Sequence, residues 1–350
     1  MSNTVESLPA NWYYDEAVFR SEQKNIFEKN WTFIVDSTEV AQPGRFVTAT
    51  IANQFIIIVR TLKGELKGFL NLCRHRASTI CAEDNGSLTQ FTCPYHAWSY
   101  DLDGRLKNAP GFKIGEQVTS EKFSLIPVQV DIWNGLVFAC LHRECASLES
   151  WLGDIVRIAE NYPAISEMTF ATTRRDEGRI NWKNYSDNAA EGYHLPTIHP
   201  ALNAALVSKQ TRIAAYENGK FIGFKVVYKD RDNDSEDSSQ NDCSGFWIYK
   251  FPGLLLHFSM NSFNIERVIP IDPQTTVMQR WFWFKPSIDK QQRKQAIEFS
   301  SQVMKEDIGI CTRVQKNLEG GVYQTGLLSR QREPGTIFFQ QCVKEALPES

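Results

Sequence analysis

Apolar side chains recur at helical spacing among charged residues near the start of the chain: Phe19, Ile26, Phe27 and Trp31. This predicts an amphipathic helix over residues 15–32. From about residue 44 to 141 the period changes. Short β-branched and aromatic runs alternate with turns at 45–52, 54–61, 68–71, 87–92, 98–101, 124–132 and 135–140. Lys63-Gly64, Asp84-Asn85-Gly86 and Asp103-Gly104 supply the turn chemistry. Together these runs predict an all-β module of about 100 residues. A helical stretch at 148–161 follows, then a strand-rich region and a helical segment at 182–193. Further strands are expected at 212–216, 220–228, 245–248, 254–260, 264–270 and 276–284, and a long helix at 290–315 closes the domain. Between strands, residues 230–242 are nearly all Asp, Asn, Ser and Glu and read as a solvated loop.

With 350 residues the chain is long enough for two domains, each with a core. A net charge of −3 with dispersed Lys and Arg offers no footprint for nucleic acid. The longest apolar runs, Phe55-Ile56-Ile57-Ile58-Val59 and Gly253-Leu254-Leu255-Leu256, are strand-sized and too short to span a bilayer. The first residues lack a basic stretch followed by an apolar one, so no signal peptide is read and a cytoplasmic location is expected. Eight cysteines in a chain this long suit free thiols or metal ligands better than a disulfide framework.

Two of those cysteines carry the strongest signal. Cys73-Arg74-His75 is followed, after seventeen residues, by Cys93-Pro94-Tyr95-His96. Each half sets one thiolate and one imidazole in a tight loop. A two-iron cluster with two Cys on one iron and two His on the other needs this set, and the neutral imidazoles raise its reduction potential. Two Cys and two His also hold tetrahedral zinc, although zinc sites usually pair CxxC with HxxxH. Tyr95 and Trp98 are placed to shield the group. The segments NLCRHRASTI and TQFTCPYHAWSYDLDGRL resemble the two ligand loops of the Rieske family. The resemblance implies Cys73 and Cys93 on the inner iron, and His75 and His96 on the outer one.

About 90 residues on comes the run from Asn181 to Pro200, which contains Asn188-Ala189-Ala190-Glu191-Gly192-Tyr193-His194 and Pro196-Thr197-Ile198-His199. On a continuous helix, residues five apart point about 140° from each other. Pro196 is therefore expected to bend the chain so that His199 meets a metal held by His194. Four of the six histidines fall in these two motifs; His142 and His257 are read as ordinary surface or core residues. Two His and one carboxylate make the facial triad of non-haem Fe(II) oxygenases, which leaves positions open for O₂ and substrate. The chain resembles the Rieske oxygenase α-subunit family over nearly its whole length, and that resemblance places Asp307 as third ligand, with Glu306 its neighbour pointing about 100° away. It also places Glu191 as an acidic bridge between His194 and His96 of an adjacent chain. Asp187 and Asn188 are candidates to steady the histidines.

The form DNAAEGYH is most similar to the branch of choline, carnitine and glycine-betaine oxygenases. The fold implied is α+β. An N-terminal helical segment (1–40) packs on the catalytic domain, an all-β Rieske [2Fe–2S] domain spans 41–147, and a helix-grip catalytic domain with an antiparallel sheet spans 148–350. The function implied is O₂-dependent hydroxylation of a small organic molecule, either a quaternary ammonium or N-methyl compound with C–N cleavage, or an aromatic ring that is dihydroxylated. A pure electron carrier with a Rieske cluster is the reading from another class. Without a GxGxxG fingerprint, electrons from NAD(P)H are expected through a separate flavin/iron–sulfur reductase. A homotrimer is implied by the family. Arg74 and Arg76 either dock that reductase or tie down their own loop. The strand Arg280-Trp281-Phe282-Trp283-Phe284 either offers an aromatic face to a cation or packs as core.

Overall fold

The computed structural model describes residues 3–116, 118–206, 212–228 and 244–347. The chain divides into two compact units, Gln23–Trp151 and a second formed by Met1–Glu22 with Leu152–Ser350. The polar segment 230–242 lies outside the described residues. Among those described, no helix is long and apolar enough to cross a membrane, and no disulfide joins the seven cysteines, Cys73 and Cys93 included.

The first unit is all-β. Seven antiparallel strands run in the order Thr32–Asp36, Leu136–Cys140, Pro127–Trp133, Leu66–Leu70, Gln54–Arg60, Arg45–Ile51 and Asn85–Ser87. A second sheet of three short strands, Phe91–Thr92, Ser99–Tyr100 and Leu106–Asn108, stands apart from it. Ile56, Ile57, Ile58 and Val59 are all fully buried, which explains the unbroken apolar run: both faces of that strand are covered. Gly104 turns with φ +83°, and a Cβ there would meet the Phe69 ring at 2.4 Å.

Three expectations are corrected here. The first helix spans only Glu16–Asn25, with Asp15 Oδ1 accepting the N–H groups of Ala17 and Val18 at its start. The chain then passes through a 3₁₀ turn, Phe27–Lys29, into the strand Thr32–Asp36, which pairs with Leu136–Cys140. Residues 23–40 therefore belong to the β unit, not to a segment of the other domain. Asn85-Gly86 is not a turn but part of an edge strand against Phe46. The run expected at 87–92 is two short strands in two different sheets.

The second unit is α+β. Its seven-stranded antiparallel sheet runs Thr169–Gly178, Thr275–Phe284, Ser262–Asp272, Leu254–Ser259, Ser244–Lys250, Phe221–Val227, Arg212–Tyr216. The long helix Lys290–Leu318 begins in a capping box between Asp289 and Gln292. Its buried residues, Ile297, Met304, Asp307, Cys311, Gln315 and Leu318, recur at intervals of three, four or seven and form one stripe. A further helix, Pro334–Ala346, follows; the hydrophobic pattern did not single it out. Thr4–Glu6 pairs with Leu327–Ser329.

The helix expected at 182–193 spans only Trp182–Ala189; one turn at Leu195–Ile198 and the helix Pro200–Ala205 follow it. Asn181 caps the first of these by accepting the N–H of Lys183. Gln315 of the long helix accepts the Asn181 N–H at 3.0 Å and an Asn184 side-chain N–H at 3.2 Å, which fixes the two helices against each other. Beneath them Lys183 and Glu22, both fully buried, pair at 2.5 Å, and the Trp182 indole donates to the same carboxylate at 2.7 Å.

Candidate metal centres

In the β unit the two Cys–His loops have the same backbone shape. The Ala77 N–H donates to the Cys73 carbonyl (2.9 Å) and the Ala97 N–H to the Cys93 carbonyl (3.0 Å). Ala77 and Ala97 both take φ +56°, the left-handed conformation that lets each loop turn back on itself. Cys73 and Cys93 are buried side by side. The His75 and His96 rings lie edge to face with centroids 4.7 Å apart. His75 stacks on Trp98 at 5.0 Å, and Tyr95, itself exposed, covers His96 at 3.8 Å.

A buried Nδ1 on His75 has no partner, and neither has the buried Nε1 of Trp98. Such an orphaned nitrogen calls for an occupant. Tyr100, which sequence reasoning did not single out, sets its hydroxyl 3.4 Å from Cys73 Sγ. Burial pushes the Cys73 thiol up. Burial opposes the Cys93 thiolate too, but hydrogen bonds from the Tyr95 N–H, Cys73, the His96 N–H and Ser78 together draw that thiol down. Around one zinc, ligand atoms sit on the order of 3.5 Å from each other. Among the described residues the one such trio within 4.8 Å is elsewhere. The four Cys and His atoms stand too far apart for a single ion and suit a wider, two-iron group. Arg74 donates to the carbonyls of Ser124 and Lys122, so it ties its own loop. Arg76 lies over the Tyr95 ring.

That trio is His194, His199 and Asp307. The two histidines bracket the turn Leu195–Ile198, and their rings are 5.1 Å apart. Pro196 does not bend the chain as expected. It sits in the first turn of the short helix, where its missing N–H leaves no bond unmade, and His199 still donates its backbone N–H to the Leu195 carbonyl. The change of direction comes before the turn, at 190–193, and at His199 itself, with φ −119° and ψ 64°.

Asp307 Oδ1 lies 2.9 Å from His199 Nε2 and 3.7 Å from His194 Nε2, and it accepts from Asn188 Nδ2 at 2.7 Å. The buried stripe of the long helix explains why Asp307, rather than Glu306, faces both rings. Glu306 is not idle: its Oε2 is 2.7 Å from His199 Nδ1, and Gln302 steadies it at 2.9 Å. Glu191 Oε1 lies 2.5 Å from His194 Nδ1, while Glu191 Oε2 accepts the N–H groups of Tyr193 and His194. Each imidazole thus has a carboxylate on Nδ1 and turns Nε2 to a common point, the arrangement that orients histidine toward a metal. Burial works against charging His199, yet Asp307 and Glu306 raise its pKa. The point between the rings therefore favours positive charge, as a divalent ion requires. Asp187 does not steady the histidines. Its carboxylate takes the Tyr13 hydroxyl (2.5 Å) and Gln340 (2.9 Å).

Above the trio is a cavity of about 120 Å³. It is lined by the strands after residue 210 and by the long helix, with Phe224, Trp247, His257, Glu266, Arg280 and Met304 among its walls. Trp281, Phe282, Trp283 and Phe284 are core residues and not part of that wall. His257, read from sequence as an ordinary residue, stacks on Trp247 at 5.4 Å, and burial keeps it neutral with a pKa of about 4.

A sheet domain with paired Cys–His loops and an α+β domain with two His and one carboxylate beneath a cavity define a Rieske-type non-haem iron oxygenase. Residues 165–349 match the family described as the ring hydroxylating alpha subunit (catalytic domain), and residues 30–120 match the Rieske [2Fe-2S] domain; the chain belongs to this family of ring-hydroxylating α subunits. It is the terminal oxygenase component, with one [2Fe–2S] cluster and one mononuclear iron.

The carnitine monooxygenase oxygenase subunit of Escherichia coli (strain K12) is 26% identical over 325 residues, which cover 91% of this chain and 86% of that one. The glycine betaine monooxygenase oxygenase subunit of Pseudomonas aeruginosa (strain UCBPP-PA14) is 32% identical over 202 residues, 57% of this chain and 46% of that one. The crystal structure of the quaternary ammonium Rieske monooxygenase CntA with L-carnitine shares the fold with a TM-score of 0.85, at 24% identity over 99% of this chain and 97% of that one.

Proposed function

We propose that this chain hydroxylates a small quaternary ammonium or N-methyl compound at a carbon next to nitrogen, so that the product breaks its C–N bond. Cys73, Cys93, His75 and His96 hold the cluster, and His194, His199 and Asp307 hold the iron. The observation that carries the reading is the meeting of His194, His199 and Asp307 under one cavity. The two relatives act on carnitine and glycine betaine. The cavity supports a compact substrate: its roughly 120 Å³ falls below the 300–1,000 Å³ of ordinary small-molecule pockets.

When bound, the mononuclear iron supplies O₂ activation with electrons passed singly from the cluster. The protein's own groups hold the geometry. His194 donates a hydrogen bond from Nδ1–H to Glu191, which leaves Nε2 as a lone-pair donor, and His199 does the same toward Glu306. Asn188 holds Asp307 by one oxygen. Leu195, Leu202 and Met304 line the cavity with hydrocarbon and restrict water. The electrons come from NAD(P)H through a separate flavin/iron–sulfur reductase. In a head-to-tail homotrimer, Glu191 links His194 to the cluster histidine of the adjacent copy.

The test is a coupled assay of purified protein with a generic reductase and isotopically labelled O₂ against methylammonium compounds and aromatic acids. A single labelled oxygen in the product of a methylammonium compound, with C–N cleavage, is expected. A doubly labelled cis-diol from an arene alone would replace this reading with ring dihydroxylation. Undiminished electron transfer without any oxygenated product would make the chain a carrier.

A further inference from the structure

The cavity holds a carboxyl group that the iron site does not use. Glu266 stands on the strand Ser262–Asp272, is 6% exposed, and lines the cavity together with Phe224, Trp247 and Tyr249. Its Oε1 accepts the Tyr185 hydroxyl at 2.5 Å, and no other described side chain bonds it. Arg280, directly across the ladder, does not pair with it. The two terminal nitrogens of that guanidinium go to Asp176 at 2.6 Å and to the hydroxyl and carbonyl of Ser300 at 2.7 and 2.9 Å, and its Nε has no partner. Glu266 therefore has no salt bridge among the described residues, although the Arg280 charge acts on it from across the ladder, and burial disfavours its ionised form.

Burial pushes Glu266 up to about 7. Arg280 and Tyr185 pull it down, and Asp307 and Asp176 push it further up. An uncharged substrate would leave this imbalance in place. A cation would relieve it. A fully methylated ammonium donates no hydrogen bond, so it is recognised by charge and by aromatic faces rather than by an aligned acceptor.

We propose that Glu266 is the specificity-determining residue of this oxygenase: its carboxylate receives the positive centre of the substrate, with Phe224, Trp247 and Tyr249 as the aromatic part of the same subsite. This deepens the quaternary-ammonium reading and rests on it. A cation held at Glu266 would lie in the cavity that is also lined by His194, His199 and Asp307, the residues that would hold the iron.

The experiment is calorimetric titration of the oxygen-free holoenzyme, so that no turnover occurs, with choline and with 3,3-dimethyl-1-butanol, its uncharged carbon isostere. Wild type is expected to prefer choline by about ten- to a hundredfold. Glu266→Gln keeps the shape and an acceptor for Tyr185. It is expected to bind the alcohol as wild type does and to lose most of the preference for choline. A second measurement needs no variant. Across a pH series, choline binding should release a proton from Glu266 where that group is protonated, seen as a dependence of the heat on buffer ionisation, and the alcohol should release none. If the preference and the proton release are equal in wild type and Glu266→Gln, the assignment of Glu266 is overturned while the quaternary-ammonium reading stands. If wild type itself binds choline no better than the alcohol, both are overturned.

Discussion

Glu306 Oε2 lies 2.7 Å from His199 Nδ1, on the opposite side of the ring from Asp307. Two consecutive carboxylates of one helix thus grip one imidazole from both nitrogens. Glu306 holds the ring's orientation without facing the iron. Removing it with Glu306→Ala should lower Fe(II) affinity about 10–100-fold and leave the cluster's visible spectrum intact. Iron content after dialysis against a graded chelator is the check; retention equal to wild type would show that Glu306 does not set the ring.

Glu191 acts on the other imidazole. Glu191→Gln replaces the acceptor on His194 Nδ1 by an amide and should keep both metals while slowing the arrival of electrons at the iron. Single-turnover rates under oxygen, with the cluster pre-reduced, report this. Rates indistinguishable from wild type would remove the bridge role.

Tyr100 bears on the cluster. Its hydroxyl, 3.4 Å from Cys73 Sγ, stabilises the more negative, reduced state. Tyr100→Phe should lower the cluster potential by roughly 20–65 mV, from about 0.5–1.5 kcal/mol per hydrogen bond and 59 mV per tenfold change. A potentiometric titration followed by the reduced cluster's paramagnetic signal measures it. An unchanged or raised potential would count against the contact.

Asp187 makes stability depend on pH. Burial raises its pKa to about 7, against the pull of Tyr13 and Gln340. A raised carboxyl contributes most below its unfolded value of about 3.9, and the contribution is lost as pH rises through about 7. Asp187→Asn should therefore melt progressively higher relative to wild type between pH 5 and 8, by up to a few kcal/mol at the upper end. Parallel thermal melts test the sign; a difference that shrinks with rising pH would refute it.

The metal motifs were legible because covalent spacing alone brings Cys73 near His75, Cys93 near His96 and His194 near His199. Asp307 was reached through resemblance, and its choice over Glu306 becomes physical only with the buried stripe Met304, Asp307, Cys311. The partner role of Glu306 was not legible. It depends on how the long helix is turned toward a histidine 107 residues earlier. The pair of Lys183 and Glu22, 161 residues apart, is hidden for the same reason. Local pattern misled at Trp31, where helical spacing continued by chance into a strand whose pairing partner is Leu136–Cys140. At Trp281 and Trp283 the core alternative of the sequence reading holds, while the aromatic wall of the cavity comes from Phe224 and Trp247, which local pattern did not mark.

The single turn Leu195–Ile198, with an imidazole at each end, has a further consequence for how the iron could be lost or gained. Because both rings hang from one hydrogen-bonded turn, they travel as a unit, and their mutual spacing does not change unless that turn unwinds. The third donor rides on a separate helix. The grip on the ion therefore reduces to one adjustable separation, between the turn and the long helix. A sideways slip there would shift Asp307 and, on the same helix, the Glu306 carboxylate that orients His199.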